Sequence, residues 1–437
     1  MLLGRMMGGR GWKSRWSAGV LVLLSVSAAG SAAGPQTEPD QSKERLAEFD
    51  EKIVAGGSAD FMEVRHLVLR GSNYAIGRKL AEIGQTRHHT GPIPYPDHRR
   101  TRAQLRYFEK NYPIFVERMR GVAAAFGTNL ENDALNFAGL YYGFSSSGCS
   151  VVFYPPASTT GGGGVLSRNF DFPTGSLSGT GVAEGRLPIC ARPYVVEMYP
   201  DEGYASLVTC SFDLLGGACD GLNSEGLTIA MLMDGEVIKQ GQVDPTPGPQ
   251  PGFNEIQIVR HLLDTCADVD QAKDALVEAK LYYNMFPNHY LIADRQGNSF
   301  VWENSAVMHR GFIIPGGSTP LVTTNFMLHR HPDLEKLPLQ KDRLDYFNRF
   351  RTIRKRIVEH EGKVDPEFIK ETNRAVSRTN APPPDPYVPT RTLWHALYYP
   401  EQRRAEIDFY LGEEPDAASP DGVKIRRSGY KTFELRR

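Results

Sequence analysis

Gly148-Cys149-Ser150-Val151-Val152-Phe153-Tyr154, followed after one turn-length gap by Ser167-Arg168-Asn169-Phe170-Asp171-Phe172, is the stretch whose reading decides the fold. A thiol is a useful nucleophile only as thiolate, so Cys149 needs a nearby cation or base. Breaking the Gly148–Cys149 peptide bond would supply the base, because the new α-amine titrates near pH ~8 and sits on the same residue as the thiol. Arg168 keeps its proton at any working pH and so is a dependable cation for lowering a thiol pKa. Asp171 could accept hydrogen bonds from the α-amine. A regular strand sends residues three apart to opposite faces, so both reach one site only if the strand ends or bends near Phe170. Standing alone, Cys149 would read as a buried structural cysteine or half a disulfide, and Arg168 with Asp171 as a surface ion pair.

Outward from this stretch, the chain changes character at Cys149. Short β-branched and aromatic runs occupy 149–154, 164–172, 194–199, 205–212, 227–233, 289–293 and 299–302, separated by Gly/Asp/Asn clusters. The run Gly161-Gly162-Gly163-Gly164 sits between two of them. No Lys-Ser/Thr follows it and no helix starts there, so it reads as a hairpin turn and not a phosphate cradle. Helical patterns follow at 254–265, 269–279 and 341–360, Pro382-Pro383-Pro384-Asp385-Pro386 reads as an exposed turn, and 390–399 with 404–411 read as a closing hairpin. Upstream of Gly148 the chain reads as α-rich. Residues 34–50 are a polar, flexible lead, 62–69 alternate like a strand, and Ser72 caps a helix over 73–83. A long helical stretch interrupted at Pro113 follows a Pro-rich loop at 91–96, and a further helix is expected over 131–143.

The start is a leader. Arg5, Arg10, Lys13 and Arg15 precede an apolar core at 18–29, and Ser31-Ala32-Ala33 forms a small-residue cleavage site, together a secretory signal peptide. The expected organisation is signal peptide 1–33, an α-rich propeptide or small subunit 34–148, and a catalytic region 149–437. The expected location is secreted or periplasmic, not integral to a membrane, since no later run approaches ~20 apolar residues. Hydrophobic residues make up 41% and charged residues 23%, a soluble globular balance, and a net charge of -1 gives no electrostatic case for nucleic acid. Export makes disulfides feasible. If Cys149 is the nucleophile, Cys190, Cys210, Cys219 and Cys266 could form two bridges in any of three connectivities.

Five segments, in order, carry a resemblance: Gly148-Cys149 with its apolar strand, Ser167 to Phe172, Asp220-Gly221-Leu222-Asn223-Ser224-Glu225-Gly226-Leu227, Thr323-Thr324-Asn325, and an arginine in the basic helix near Arg343. An upstream stretch from His66 to Gly77 looks like a leading segment of the same group. The chain thereby resembles the N-terminal nucleophile (Ntn) hydrolases. It is most similar to the penicillin acyltransferase-like cysteine family (peptidase C45), with looser kinship to penicillin V acylase, bile salt hydrolase and acid ceramidase. The resemblance implies an α+β fold, a four-layer αββα sandwich, and autocatalytic cleavage between Gly148 and Cys149. It also implies that Arg168 and Asp171 line the nucleophile. Asn325 and the backbone amide of Met233 would be the oxyanion donors, and Arg343 matches a distal arginine. Arg349, Arg351 and Arg354 lie close to Arg343, and most of that basic cluster reads as a solvated helix face.

Asn223 reads as a turn former at a strand entry and not as a catalyst. Phe170, Phe172 and Met233, with Phe153, Met285 and Phe286, are candidates for an apolar acyl pocket, although strand aromatics also simply fill cores. His88, His89 and His98 lack a carboxylate or thiol at ligand spacing and read as surface histidines. No metal or cofactor is expected. The function that follows is an exported, self-cleaving cysteine amidohydrolase acting on N-acylated small molecules with a hydrophobic acyl group, its two fragments staying associated. Alternatives are an acyltransferase from thioester to amine and an inactive secreted binding protein on the same fold.

Overall fold

A computed structural model describes residues 45–139, 148–174, 188, 190–210, 214–216, 218–240, 248–284, 287–305, 307–308, 310–340, 345–379, 389–419 and 422–436. Outside them lie residues 1–33, read as a leader, most of the lead read at 34–50, the 140–143 end of the helix expected over 131–143, the turn expected at Pro382–Pro386, and Arg343, Met285 and Phe286. In chain order, β1 (Leu46–Gly56) and β2 (Glu63–Gly71) precede α1 (Asn73–His88), β3 (Ile93–Pro94), α2 (His98–Asn111), α3 (Pro113–Ala125) and β4 (Leu135–Asn136). Then come β5 (Gly148–Tyr154), β6 (Val165–Pro173), β7 (Tyr194–Pro200), β8 (Ser206–Cys210), β9 (Ala218–Asn223), β10 (Thr228–Met233) and α4 (Gly235–Gln240). They are followed by α5 (Gln257–Thr265), α6 (Val269–Glu278), β11 (Asn288–Ala293), β12 (Ser299–Ser305), β13 (Arg310–Pro315) and β14 (Leu321–Thr324). The chain closes with α7 (Tyr346–Glu359), α8 (Pro366–Arg374), β15 (Thr390–Tyr399), β16 (Arg404–Pro415), β17 (Val423–Arg427) and β18 (Lys431–Glu434).

The class is α+β, as the sequence predicts. One sheet has nine strands in the order β1-β2-β7-β8-β9-β10-β11-β12-β13, and the other runs β14-β5-β6-β15-β16-β17 with β18 also on β16. Only β2 and β7 pair in parallel in the nine-stranded sheet. Helices α1 and α5 pack on that sheet, α1 on β2 and β7 and α5 on β9 and β10, while α7 and α8 pack on β14, β5 and β6. The two sheets meet directly where β5 contacts β10 and β11. Strand β6 shows why both of its faces are buried. Its residues alternate between an apolar-plus-arginine set, Leu166, Arg168, Phe170 and Phe172, and a polar set, Ser167, Asn169 and Asp171. The polar set finds partners on the helix side: Asn169 donates to the carbonyl of Asn373, and Ser167 bonds His395 at 3.1 Å. A buried polar group without such partners would cost several kcal/mol, so α8 is fixed in place by the sequence of β6.

The upstream region departs from its sequence reading in two ways. Residues 46–50, read as flexible lead, belong to β1, which pairs antiparallel with β2 and carries it into the sheet. The helix expected from residue 131 is absent up to 139. The short β3–β4 pair and backbone turns stand there, the first turn closed by Asn129, whose Oδ1 accepts from the Glu131 amide. The remainder agrees: Ser72 accepts from the amide of Ala75 and caps α1, and the chain breaks between α2 and α3 at Pro113.

Helices α1 and α3 cross in backbone contact. A Cβ on Gly77 would fall 2.1 Å from the Arg118 carbonyl oxygen, and one on Gly121 would fall 2.0 Å from that of Tyr74. Gly77→Ala must therefore pry the two helices apart, and a destabilisation of about 1–3 kcal/mol is expected from overpacking. Urea unfolding checks it; an unchanged midpoint would mean that the helices are not locked at this crossing.

The cysteines do not form two bridges. Cys149, Cys219 and Cys266 are free thiols, and all five cysteines are buried. Cys266, at the end of α5, packs into the apolar core as a small hydrophobe, whereas Cys149 lies against the Arg168 guanidinium. No helix among the described residues is long and apolar enough to cross a membrane.

Candidate active site

Three strand registers bring the site together. Strand β5 pairs with β6 so that Cys149 lies opposite Phe170, Val151 opposite Arg168, and Gly148 opposite Asp171. On the other side Thr324 of β14 lies opposite Ser150, which delivers Asn325, the next residue, beside Cys149. Strand β10 ends at Met233, and the β5–β10 contact brings that end to the same point.

Directly opposed residues of an antiparallel pair share a face, so Cys149, Arg168 and Phe170 all point between the two sheets. There Arg168 Nη2 lies 3.4 Å from Cys149 Sγ and also donates to the Met231 carbonyl at 2.9 Å. Asp171 points the other way, toward α7, with its carboxylate 3.7 Å from Arg349 Nη1 and 3.8 Å from Arg378 Nε. The expected bend in β6 does not occur: its pairing with β5 is continuous from Val165 to Asp171. The irregularity sits in β15 instead. A bulge at Leu393 puts Thr392 opposite Asp171 and Trp394 opposite Phe170, so these two residues serve opposite faces. Thr392 accordingly donates to Asp171 Oδ1 at 2.6 Å, while Trp394 stacks on Phe170 at 3.9 Å. Arg168 and Asp171 thus approach the Gly148–Cys149 junction from the two faces of one sheet. A Cβ on Gly148 would come 3.3 Å from Asp171 Oδ2, a tight contact that favours glycine before Cys149.

Asn325 is held in one orientation. Its Oδ1 accepts from the Cys149 amide at 2.6 Å and from Arg349 Nη2 at 2.8 Å, and its Nδ2 donates to the Met233 carbonyl at 2.8 Å. Two donors face one end of the carboxamide and an acceptor faces the other, so the flipped assignment would oppose like groups. Met233 meets Asn325 through its carbonyl and is buried. Phe170 is stacked between Trp394 and Phe172, the latter at 5.6 Å, with the Arg168 guanidinium 4.7 Å from its ring centre.

The thiol is 2% exposed, and burial pushes its pKa up. Arg168, then Arg349 and the Asp171 backbone amide, pull it down, while the Asp171 carboxylate pushes it up. Arg349 is itself lowered to about 10, by burial and by Arg378, and so remains charged at neutral pH.

Two residues matter here that the sequence reading undervalued. Arg349, grouped with a solvated basic face, is 3% exposed and donates to the Cys149 carbonyl and, at 2.7 Å, to Ser150 Oγ. Its helical position gave a usable signal. Tyr346, Phe350 and Ile353 form the buried stripe of α7, and 349 falls within it at i+3 from Tyr346. Arg354, on the other side, pairs with Glu335 near the surface, and Arg351 bonds the Pro338 carbonyl. The second is Asp220, which accepts from Arg168 Nη1 at 2.5 Å. Asn223, in the same segment, is a turn former as read. Its Oδ1 accepts from the amides of Glu225 and Leu227, and its Nδ2 ties the turn to the Leu263 and Cys266 carbonyls. His98 pairs with Asp133, and His88 packs edge-on against Tyr194.

A sequence model of the family described as acyl-coenzyme A:6-aminopenicillanic acid acyl-transferase matches residues 158–413. Among solved structures the chain is similar to a mutant of conjugated bile acid hydrolase from Clostridium perfringens, with 12% identity and a TM-score of 0.44 over 66% of this chain and 97% of that one. It is similar to penicillin V acylase from Agrobacterium tumefaciens, with 16% identity and a TM-score of 0.39 over 60% and 82%. A Caenorhabditis elegans ortholog of N-acylethanolamine-hydrolyzing acid amidase has 16% identity and a TM-score of 0.39 over 66% and 100%. No curated protein matches.

Proposed function

This chain belongs to the acyl-coenzyme A:6-aminopenicillanic acid acyl-transferase family, and we propose that it is an exported cysteine amidohydrolase that frees its own nucleophile by cutting between Gly148 and Cys149. The observation that carries this reading is the pairing at Cys149 of a guanidinium 3.4 Å from the sulfur with a carboxamide 2.6 Å from the backbone nitrogen. A merely structural cysteine needs neither.

In the first reaction Cys149 Sγ attacks the Gly148 carbonyl carbon, and the Gly148–Cys149 C–N bond breaks with a proton passing to nitrogen. Water then hydrolyses the thioester, leaving a carboxylate on Gly148 and a free thiol and α-amine on Cys149. In turnover the same sulfur attacks a substrate amide while the α-amine takes its proton and returns it to the departing amine. A second water releases the acid. Arg168 favours the thiolate. Asp171 and Asn325 Oδ1 hold the α-amine. The oxyanion is met by the Met233 amide and by the second hydrogen of Asn325 Nδ2, the first being engaged by the Met233 carbonyl. Arg349 steadies Asn325 and the Cys149 carbonyl and takes the distal place first given to Arg343. The acyl group is hydrophobic on this reading, set against Phe170, Phe172 and Met233.

The fragments 34–148 and 149–437 would stay together without a covalent link. Strand β2 is seated between β1 and β7, and Arg118 of α3 forms a fully buried ion pair with Asp264 of α5. Breaking such a pair costs about 3–5 kcal/mol, because the partner left behind is an uncompensated buried charge. The leader at 1–33 and the basic-then-apolar start support export. Away from acyl-CoA, water is the natural acceptor.

The family's description favours a second reading, transfer of an acyl group from a thioester to an amine. A panel of N-acyl amides with phenoxyacetyl and fatty acyl groups, run with and without an amine acceptor and acyl-CoA, separates the two. Hydrolysis without acceptor is expected. Activity only when acyl-CoA and amine are both present would make the chain an acyltransferase. No turnover of any amide or thioester by cut protein would leave a binding protein on this fold.

A further inference from the structure

Beneath the thiol, Arg168 is tied to a buried carboxylate, Asp220, that the hydrolase mechanism above does not use. Asp220 stands on β9, in the opposite sheet from Cys149, and its side chain is fully buried, as is that of Arg168. Its carboxylate accepts three hydrogen bonds: Arg168 Nη1 at 2.5 Å and Trp394 Nε1 at 3.1 Å on Oδ2, and Tyr398 Oη at 2.7 Å on Oδ1. All of the donors belong to the seven-stranded sheet. Trp394, Ala396 and Tyr398 share the inner face of β15, opposite Phe170, Arg168 and Leu166. The carboxylate is therefore fixed on both oxygens, and with the Met231 carbonyl it fixes the plane of the guanidinium.

The consequence for the sulfur follows from charge and distance. An isolated guanidinium 3.4 Å from a thiol in a dry interior would favour the thiolate strongly, and would itself be costly to bury. With Asp220 on Nη1, Arg168 presents the sulfur with the positive end of an ion pair and not a bare cation. We propose that Asp220 is a positioning residue for the nucleophile, holding the Arg168 guanidinium against Cys149 Sγ and offsetting its charge, so that the pair and not the arginine alone sets the pH at which the thiolate forms. This rests on the cysteine-nucleophile reading. A thiolate that is too stable attacks poorly, since nucleophilicity falls with thiol pKa, so a partly compensated cation suits turnover better than a bare one.

The charged and titratable groups around the sulfur are Arg168 from β6 and Cys219 from β9 between the sheets, with Asp171 from β6 and Arg349 from α7 on the other face. In the cut protein the Cys149 α-amine joins them. Those facing Asp220 are Arg168, Tyr398 and the Cys219 thiol, with Cys149 beyond Arg168. Only Asp220 and Tyr398 can be altered without touching the sulfur's own neighbours.

Asp220→Asn isolates charge from shape. The asparagine oxygen can accept from Arg168 and Trp394, and its amide can donate to Tyr398, whose hydroxyl reverses to accept. The measurement is the rate of iodoacetamide alkylation of Cys149 against pH in cut protein, followed by mass and by residual turnover. Asp220→Asn is expected to lower the midpoint of that profile by about one pH unit, the lower end of what a charge near a titrating group produces. Tyr398→Phe, which takes a donor from the carboxylate and leaves its charge less spread, is expected to raise it. A purely structural role would lower stability and leave both midpoints in place. An unchanged midpoint in folded Asp220→Asn, with alkylation still abolishing turnover, would overturn this inference alone. If Asp220→Asn does not fold, an unmoved midpoint in Tyr398→Phe overturns it equally. Turnover that survives complete alkylation of Cys149 would overturn the nucleophile reading, and this inference with it.

Discussion

Replacing Cys149 with alanine is expected to leave the chain in one piece and to abolish turnover. Two independent steps depend on the one sulfur. Self-cleavage needs it to attack the Gly148 carbonyl, and the catalytic cycle needs it again to form the acyl-enzyme. The substitution should not disturb the fold. Alanine fits the same strand position between Phe170 and Asn325, and the backbone hydrogen bond from residue 149 to Asn325 Oδ1 does not require the side chain. Denaturing electrophoresis and an amidase assay, with thermal unfolding as the control for folding, check this. A cut Cys149→Ala protein would show that something other than this thiol performs the cleavage.

The next largest effect is expected at Asn325. Asn325→Ala in protein that has already been cut should lower kcat by on the order of 10²–10³, the cost of removing one oxyanion donor, with KM little changed. Its stability should fall far less than that of an Arg168 variant. Arg168→Ala leaves Asp220 buried without its cation, so activity and stability fall together and the catalytic share cannot be read off. Asn325 is the cleaner probe. Steady-state kinetics on Asn325→Ala, with circular dichroism to establish the fold, give the answer, and near-normal kcat would remove Asn325 from the mechanism.

The nucleophilic strand, its β6 partner and the closing β15–β16 hairpin were legible because their sequences carry local signals: β-branched runs, period-two alternation and glycine-marked turns. Strand β1 was not, because its run Leu46 to Gly56 is polar on one face and lies at a sheet edge, where burial imposes little pattern. The Arg168–Asp171 puzzle could be posed from the strand period but not solved. Its solution lies in α7 covering the far face of the sheet, and in a bulge one strand away at Leu393, neither of which β6 encodes. Asp220 was hidden for a related reason. Its meaning depends on three donors from strands roughly 50 to 180 residues distant, and a buried aspartate before a glycine looks locally like a turn. Arg349 could have been found by placing it on the helical wheel instead of counting it with its charged neighbours.

The central claim, that Cys149 becomes an N-terminal nucleophile by self-cleavage, is tested most directly by the intact mass and N-terminal sequence of the purified, exported protein. The account predicts two tightly associated fragments, the larger beginning at Cys149 with a free thiol. A single uncut chain in a fully active sample would contradict it.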